Sequence, residues 1–436
     1  MPFFIVFAIF YFFDMINKIY YYEEFLLLND MTIALFIDSY LPTKNGVITV
    51  VIQLQEQLKK MGHRVILVCP KTTKEFDTDN TDIYRVKSLQ DTFLKSDQYF
   101  STPFDKKNIC KFIKENKVDI IHCHTDFSIG RTGIYIAKKL KIPAICTTHT
   151  MWPDNLKYLK IFNILPSKSI LNFMIDYYKK FDALIGVSSK SRNYYKKNKK
   201  LSKVPAVIIP NAINVNKFDS VHITEQEKHE LRAKYGISDN EVLFLYLGRI
   251  AEEKRIFELS EKCIQLLENQ PNVKIIFVGK GPAFEELTKK LKKQIQDKKI
   301  ILTGFIDWTE VHKYYEMSDI FITASLSEMH SMTILEAQLS SLPIIARDDE
   351  SYLDCIIPNK NGYLAKTDDE FYNDMIEMAN DEEKRKFFAK NSFEQSKKFS
   401  LETNVKKTVF LYEQVIKAYP KKIDEAVITK QLENIF

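Results

Sequence analysis

Residues 319–346 read DIFITASLSEMHSMTILEAQLSSLPIIA, and this stretch is the clearest guide to the fold. Its first apolar run, residues 320–324, predicts a buried strand of a parallel sheet. A helix is expected to begin near Ser331, which can cap it, and a proline ends it at the next strand, residues 343–346. The stretch is therefore one βαβ unit. Its loop, residues 325–329, lies at the carboxyl end of a strand, where open α/β sheets bind ligands.

Two glutamates, Glu328 and Glu336, stand eight residues apart within this unit. We expect Glu328 in the loop and Glu336 inside the helix, with both pointing at a ligand across the helix N-terminus. Free N–H groups there hold an anion, and carboxylates accept hydrogen bonds from sugar hydroxyls, so the pair suits a sugar nucleotide. The alternative is a solvated loop residue beside an ordinary surface helix residue.

The composition bounds the class of protein. The chain has 436 residues, of which 45% are hydrophobic and 28% charged, so two or three domains can each bury a core. The net charge of +6 fits an anionic donor and an anionic membrane surface without requiring nucleic acid. The six cysteines are scattered without a Cys-x-x-Cys pair, which indicates reduced core thiols in the cytoplasm and neither zinc nor disulfides.

The N-terminal segment, residues 1–30, is interpreted as an extension from an upstream start codon. Its apolar run, residues 3–13, is too short to span a bilayer, and it lacks the basic start and cleavage site of a signal peptide. Met31 is followed at once by the first predicted strand. The alternative is an aromatic anchor at a membrane surface.

Strands and helical patterns alternate from Met31 onward, which predicts two doubly wound α/β domains, residues 31–215 and 216–399. The predicted strands of the first domain are residues 32–38, 64–70, 119–124, 143–149, 183–188 and 206–210. Those of the second are residues 242–249, 273–279, 300–305, 320–324 and 343–346. Helices are expected between them, for example at residues 47–61, 129–140, 257–267 and 284–296, and then from 370 to 418.

Candidate site residues follow several strands. Gly46, after the first strand, lets the backbone approach a phosphate or a sugar. Arg249 offers a forked donor and Lys254 a point charge, so together they can neutralise a diphosphate. Each has a plainer alternative, an ordinary turn. The turn at Gly279 lacks the third glycine of a dinucleotide fingerprint, which excludes NAD.

Three histidines raise the question of a metal. His122 and His124 share one face of a strand, and no carboxylate or cysteine is placed to complete a tetrahedral site, so no metal is expected. His149 ends a strand, where a neutral imidazole can bond hydroxyl groups or simply cap the turn. The pair Asp77 and Asp79 lies in a polar loop and is interpreted as a solvated charge run.

A membrane-facing surface is predicted within residues 151–203, where aromatic, aliphatic and basic residues mix. Such a segment suits anionic lipid headgroups; the alternative is a core helix followed by a solvated one. The basic residues assigned to the membrane are Lys190, Arg192, Lys196, Lys197, Lys199 and Lys200.

These motifs together resemble the GT-B retaining glycosyltransferases of the family-four type, and most of all the bacterial branch that glucosylates diacylglycerol. The matching segments are the Glu-x7-Glu pair, Gly248-Arg249 with Lys254, the opening that ends in Gly46-Val47, and His149-Thr150-Met151-Trp152 with Asp154 and Tyr158. The chain departs from the family pattern at Ser331, where the family has a glycine. The Cβ atom of the serine narrows the approach to the diphosphate.

The resemblance implies two Rossmann-like domains facing a central cleft, with residues 400–436 crossing back to the first domain. It implies metal-independent transfer of glucose from UDP-glucose to diacylglycerol with retention, at the inner face of the cell membrane. The implied catalytic residues are Glu328, at the hexose, and His149. The implied donor-binding residues are Gly46, Arg249, Lys254, Gly279, Gly304, Ser331, Met332 and, at the ribose, Glu336. Alternatives are a capsule or cell-wall polysaccharide glycosyltransferase and a non-catalytic subunit that binds sugar nucleotides.

Overall fold

The computed structural model describes residues 30–41, 43, 45–71, 81–90, 99–101, 105–152, 167–214 and 222–435. Several sequence-based predictions lie outside these residues: the N-terminal extension apart from Asp30, the pair Asp77 and Asp79, and the motif positions Asp154 and Tyr158.

A parallel sheet forms the centre of the first domain, with strand order β3-β2-β1-β6-β7-β8-β9 among the described residues. Its strands are β1 Thr32–Phe36, β2 Arg64–Pro70, β3 Ile83–Val86, β6 Ile120–Cys123, β7 Ala144–Thr148, β8 Ala183–Gly186 and β9 Ala206–Ile208. A separate antiparallel hairpin consists of β4 Ser88–Gln90 and β5 Tyr99–Ser101. The helices are α1 Gly46–Lys60, α2 Lys106–Glu115, α3 Ser128–Leu140, α4 Ser167–Tyr178 and α5 Ser189–Lys197.

Alternation along the strands supplies two cores, one on each face of this sheet. In β1, Ile33 and Leu35 join the core that contains the α1 residues, whereas Ala34 and Phe36 join the core beneath α3 and α4. Both faces are apolar because helices cover both, and this explains why the strands are mostly apolar instead of alternating with polar residues.

The second domain repeats the plan with a parallel sheet of order β12-β11-β10-β13-β14-β15 among the described residues. Its strands are β10 Val242–Leu247, β11 Val273–Val278, β12 Ile300–Gly304, β13 Ile320–Thr323, β14 Ile344–Arg347 and β15 Gly362–Ala365. Its helices are α6 Glu225–Lys234, α7 Ile256–Asn269, α8 Phe284–Lys290, α9 Lys292–Gln296, α10 Val311–Glu316, α11 Met332–Leu339, α12 Asp368–Asn380 and α13 Glu382–Ser396. The predicted pair of doubly wound domains is thereby confirmed.

The last two helices, α14 Leu401–Ala418 and α15 Glu425–Glu433, return to the first domain. Ser400 caps α14 by accepting a hydrogen bond from the Thr403 N–H at 3.2 Å. Apolar residues of both helices, including Val409 and Leu432, belong to the same core as Ile33 of β1. Among the described residues, no helix combines the length and apolar character that a membrane crossing requires.

The structure differs from the predicted elements in two respects and agrees with the helical region predicted at residues 370–418. Four short strands were not predicted: β3 and β15 lie at sheet edges, and β4 and β5 form the separate hairpin. The helix predicted at residues 284–296 is divided at Leu291, where the chain turns between α8 and α9. The helical region after residue 370 consists of α12, α13 and α14, and Asp381 caps the second of them.

Candidate functional site

Both sheets reverse their strand order at one point, and these two points locate the candidate site. The reversal lies between β1 and β6 in the first domain and between β10 and β13 in the second. A ligand crevice forms where the connections leave a parallel sheet in opposite directions, at the carboxyl ends of these strands. Asp38 and His124 lie at the first point, and Arg249 and Glu328 at the second.

An ion pair joins two of the predicted site residues. The Nζ atom of Lys254, in a short 3-10 turn after β10, lies 2.5 Å from Oε1 of Glu328, in the loop after β13. Each side chain is 22% exposed. Burial raises the pKa of Glu328, but the charge of Lys254 and hydrogen bonds from Lys254 and Ser325 outweigh it, so the pKa lies below its ordinary value. The carboxylate is therefore ionised at neutral pH.

The loop that carries Glu328 is fixed by neighbours on both sides. Ser327 Oγ donates to the carbonyl oxygen of Glu253 at 2.8 Å, which ties the loop to the turn that holds Lys254. The buried Tyr352 hydroxyl donates to the carbonyl oxygen of Ser325 at 3.0 Å. These bonds hold the Lys254–Glu328 pair in one geometry, so it costs less side-chain entropy than a free surface pair.

Arg249 occupies a more open position than Lys254. Its guanidinium Nη2 lies 3.5 Å from Oε1 of Glu253, and its side chain is 61% exposed. A pair at this distance and exposure adds little stability, so the guanidinium can leave Glu253 for an anion in the crevice.

Three glycines border the crevice where β10, β11 and β12 end. Gly279 has a φ of +135°, and a Cβ there would lie 2.0 Å from the carbonyl oxygen of Gly248. Its N–H donates to the carbonyl oxygen of Gly304 at 3.0 Å, and Gly304 has a φ of +72°. Side chains at these positions would strain or separate the strand ends, so Gly279 and Gly304 allow the ends of β10, β11 and β12 to lie close together.

Ser331 serves as the N-cap of α11, as expected. Its hydroxyl accepts from the Ile334 N–H at 3.4 Å and lies 3.0 Å from the Thr333 hydroxyl. A glycine at this position would leave that N–H open to a ligand. The serine hydroxyl therefore occupies an N–H group that could otherwise bind an anion at this helix N-terminus. Met332, the first residue of the helix, is half-buried.

Glu336 lies on α11 and is held separately from Glu328. Its Oε2 atom accepts a hydrogen bond from the Tyr315 hydroxyl at 2.8 Å. Burial raises the pKa of Glu336 to about 7, and the Tyr315 bond opposes this only in part. Tyr315 could not be predicted as a site residue, because nothing in the sequence links it to a glutamate 21 positions further along.

The first domain contributes a row of three imidazoles. His124 Nδ1 lies 3.2 Å from His149 Nε2, and the two rings are stacked with their centroids 5.5 Å apart. The ring centroids of His122 and His124 are 4.0 Å apart. Burial lowers the pKa of His149 to about 4, so this imidazole is neutral at neutral pH. A neutral His149 can bond hydroxyl groups without carrying charge.

His122 links the row to the C-terminal helix. Its Nδ1 lies 2.6 Å from the Tyr412 hydroxyl in α14, and its Nε2 lies 2.7 Å from the Thr147 hydroxyl. Both ring nitrogens are thus occupied by hydroxyl groups rather than facing one centre. Among the residues that the structure describes, no group of three or more His, Cys, Asp or Glu side chains is placed to hold a metal ion.

Gly46 and Asp38 complete the first-domain side. Gly46 is the first residue of α1, which Asn45 caps, and a Cβ on it would meet no atom of the described residues within 4 Å. The Asp38 carboxylate accepts from the Ile129 N–H and the Thr125 hydroxyl, each at 2.6 Å, and so caps α3. Burial nevertheless raises the pKa of Asp38. Its role is structural, whereas the space before Gly46 is open to a ligand.

The two halves of the site meet across the cleft. Met151, two residues after His149, forms a small apolar cluster with Val187 and with Met329, the residue after Glu328. The Asn211 side-chain amide donates to the carbonyl oxygen of His330 at 3.3 Å. These contacts bring the segment of His149 beside the loop of Glu328.

Three of the six basic residues predicted to face a membrane form ion pairs with carboxylates. Lys190 Nζ lies 2.9 Å from Asp349 of the second domain. Arg192 and Lys196 both bind Glu425 of α15, at 3.1 and 2.6 Å. The other three, Lys197, Lys199 and Lys200, are exposed, and Lys200 Nζ donates to Asn172 Oδ1 at 3.2 Å. The exposed part of the predicted surface is therefore this second group.

Comparison with known proteins places these features in a family. Residues 44–217 match the family described as Glycosyltransferase Family 4, and residues 227–395 match Glycosyl transferases group 1. The chain is 29% identical over 411 residues to the alpha-monoglucosyldiacylglycerol synthase of Acholeplasma laidlawii, covering 91% of this chain and 100% of that protein. It is 33% identical over 334 residues to the Streptococcus pneumoniae enzyme of the same name, covering 76% of this chain and 74% of that protein.

A solved structure shares the fold. HepE from Anabaena, in a complex with UDP-glucose, superposes with a TM-score of 0.66 at 16% identity, over 87% of this chain and 98% of that one. Together with the identity to the two synthases, the matches cover both domains. The chain therefore belongs to the GT-B glycosyltransferases that combine a family 4 domain with a group 1 domain.

Proposed function

We propose that this glycosyltransferase moves glucose from UDP-glucose to diacylglycerol with retention of the anomeric configuration. The observation that carries the donor side is the pair of Lys254 and Glu328 at the β10/β13 reversal, with the exposed guanidinium of Arg249 nearby. Cations for a diphosphate and a carboxylate for sugar hydroxyls are the chemistry that a nucleotide sugar needs. The names of the two synthases and the UDP-glucose complex of HepE support glucose, its carrier and the lipid.

In this proposal the donor lies across the N-terminus of α11. Arg249 and Lys254 bind the diphosphate, and Glu336 accepts from a ribose hydroxyl. Glu328 accepts from the hexose. The nucleoside lies at the ends of β11 and β12, beside Gly279 and Gly304.

The acceptor hydroxyl attacks the anomeric carbon from the face that the diphosphate leaves. The bond from that carbon to the diphosphate breaks as the new glycosidic bond forms, and the departing phosphate oxygen takes the hydroxyl proton. Negative charge grows on the diphosphate, and Arg249 and Lys254 stabilise it in a crevice partly shielded from water. His149 is neutral, since burial lowers its pKa, and it orients hydroxyl groups without repelling these cations.

The cations at the diphosphate take the place that a divalent metal has in other enzymes, so we propose metal-independent transfer. The exposed lysines at 197, 199 and 200 give the first domain a basic surface, and we propose that it holds the enzyme peripherally at the anionic inner face of the cell membrane.

The test offers the purified chain a panel of labelled UDP-sugars with diacylglycerol in mixed micelles, with and without EDTA. The expected product is an α-glucosyl lipid, identified by mass and by the anomeric coupling constant in NMR. Glu328→Gln serves as the inactive comparison. A β-linked product refutes retention, and transfer only to a polysaccharide acceptor refutes the lipid. Binding of UDP-sugars without hydrolysis or transfer would make the chain a non-catalytic subunit.

A further inference from the structure

The N-terminal end of α5 reaches across the cleft into the second domain. The Ser189 N–H and hydroxyl donate to the two carboxylate oxygens of Asp354, at 2.8 and 2.6 Å. Lys190 Nζ lies 2.9 Å from both carboxylate oxygens of Asp349. The Lys190 and Asp349 side chains are each 12% exposed, which sets this pair apart from the exposed ion pairs of the surface.

Lys190 also contacts the loop that carries Glu328. Its Nζ atom donates to the carbonyl oxygen of Leu326 at 3.2 Å. It lies close enough to the Glu328 carboxylate for its charge to help keep that group ionised. One ammonium group of the first domain therefore holds two parts of the second: the segment after β14 and the donor loop after β13.

Asp349 is positioned for this contact independently of Lys190. Its Oδ1 atom also accepts from the Ser351 N–H at 2.9 Å and from the Ser351 hydroxyl at 2.6 Å. The carboxylate is thus already oriented when the lysine reaches it, so little side-chain freedom is lost on closing the pair.

We propose that Lys190 is a positioning residue: with Asp349 it forms a latch across the cleft that holds the donor loop in its working geometry. This assignment rests on the proposed function, which places the hexose at Glu328. It also gives Lys190 a role other than the membrane contact that the basic run predicted. A charge pair buried to this degree contributes when both partners are present, and loss of one partner leaves the other charge uncompensated. Domain approach and donor-loop order are then coupled through one residue.

The first test measures chemistry with Lys190→Met, Asp349→Asn and the double variant, using micelles so that membrane attachment plays no part. Lys190→Arg tests rescue. Lys179→Met removes a lysine from an exposed pair with Asp176 in the same domain and is the matched control. We expect each single variant to lose about ten-fold or more in kcat, with the double variant no worse than either single one. Equal activity of Lys190→Met and Lys179→Met, or additive losses, would overturn the latch.

The second test measures the distance between the domains directly, so it does not depend on the substrate. All six native cysteines are buried, which lets labels attach selectively at Lys107→Cys in α2 and Lys289→Cys in α8. Single-molecule energy transfer should show one narrow distance population in the parent protein and a broader, longer one in Lys190→Met. Unchanged populations would refute the latch. A parent protein that transfers no sugar at all would instead refute the proposed function, while this distance measurement still decides the latch.

Discussion

Replacing Lys254 by methionine should lower kcat/KM while sparing the fold. The substitution keeps most of the side-chain volume and removes the ammonium that lies 2.5 Å from Glu328 and faces the crevice. A hydrogen bond to a charged group contributes about 1.5–3 kcal/mol. Each 1.36 kcal/mol is about a factor of ten in rate, so the loss lies between about 10-fold and 150-fold. Because both side chains are 22% exposed, solvent screening places the expected value in the lower half of that range.

The pH dependence of kcat/KM provides a second, independent test of the Lys254→Met substitution. In the parent protein the pKa of Glu328 is depressed, so its contribution to stability is present above the ordinary carboxyl pKa and is lost as pH falls through the folded value. Without Lys254, burial remains while the opposing charge and hydrogen bond are gone, and the pKa of Glu328 rises. The acid limb of kcat/KM should therefore move to higher pH in Lys254→Met and return towards the parent position in Lys254→Arg.

The assay is the initial rate of UDP release across a range of pH, with circular dichroism and urea unfolding as checks on the fold. Arg249→Met is the comparison, because its loose, exposed ion pair with Glu253 predicts lost rate with almost no change in stability. If Lys254→Met stays within about two-fold of the parent enzyme and keeps its acid limb, the diphosphate role of Lys254 and its control of Glu328 are both wrong.

Four further outcomes are expected. The KM for UDP-glucose should fall as pH rises through about 7, where Glu336 ionises, and Glu336→Gln should flatten this dependence; an unchanged profile would remove the ribose role. Because burial raises the pKa of Glu336, this group contributes stability below its ordinary pKa and loses that contribution as pH rises through about 7. Between these two pH values, the free energy of unfolding should therefore fall less in Glu336→Gln than in the parent protein. Tyr412→Phe should lower the free energy of unfolding by about 1–3 kcal/mol, since it leaves a buried His122 nitrogen without its partner, and equal urea midpoints would contradict this. Charge reversal of the exposed lysines should release the enzyme from anionic vesicles and leave the KM for the donor unchanged, whereas retained binding at low salt would show an ordinary solvated face; the residues are Lys197, Lys199 and Lys200.

Much of the fold follows from local pattern. The strand predicted at residues 64–70 matches β2 at both ends, because an unbroken apolar run between a glycine turn and polar residues has few alternatives. β15 could not be predicted, because its four residues begin with glycine and lie at the sheet edge. There, pairing with β14 determines the strand more than the propensity of its residues does.

The candidate site, like the fold, could be predicted from the sequence only in part. Lys254 and Glu328 each followed a predicted strand, so their placement at one sheet edge could be anticipated, but their direct pairing joins residues 74 positions apart. The position of Lys190 could not be predicted from the sequence. A basic run predicts an exposed face, yet it does not say which of its side chains turns towards another domain, and that depends on the way the domains meet.

The return of α14 and α15 to the first domain also sets an order of events during synthesis. Leu401, Val409 and Leu432 belong to the same core as Ile33, so that core stays incomplete until α15 has left the ribosome. At about 5–20 residues per second, the first domain waits roughly 10 to 40 s after residue 215 is made, while the second domain is free to fold. During that interval an apolar strip on β1 and α1 lies open to water and to chaperones. The first domain therefore completes its core only after the second domain has been made.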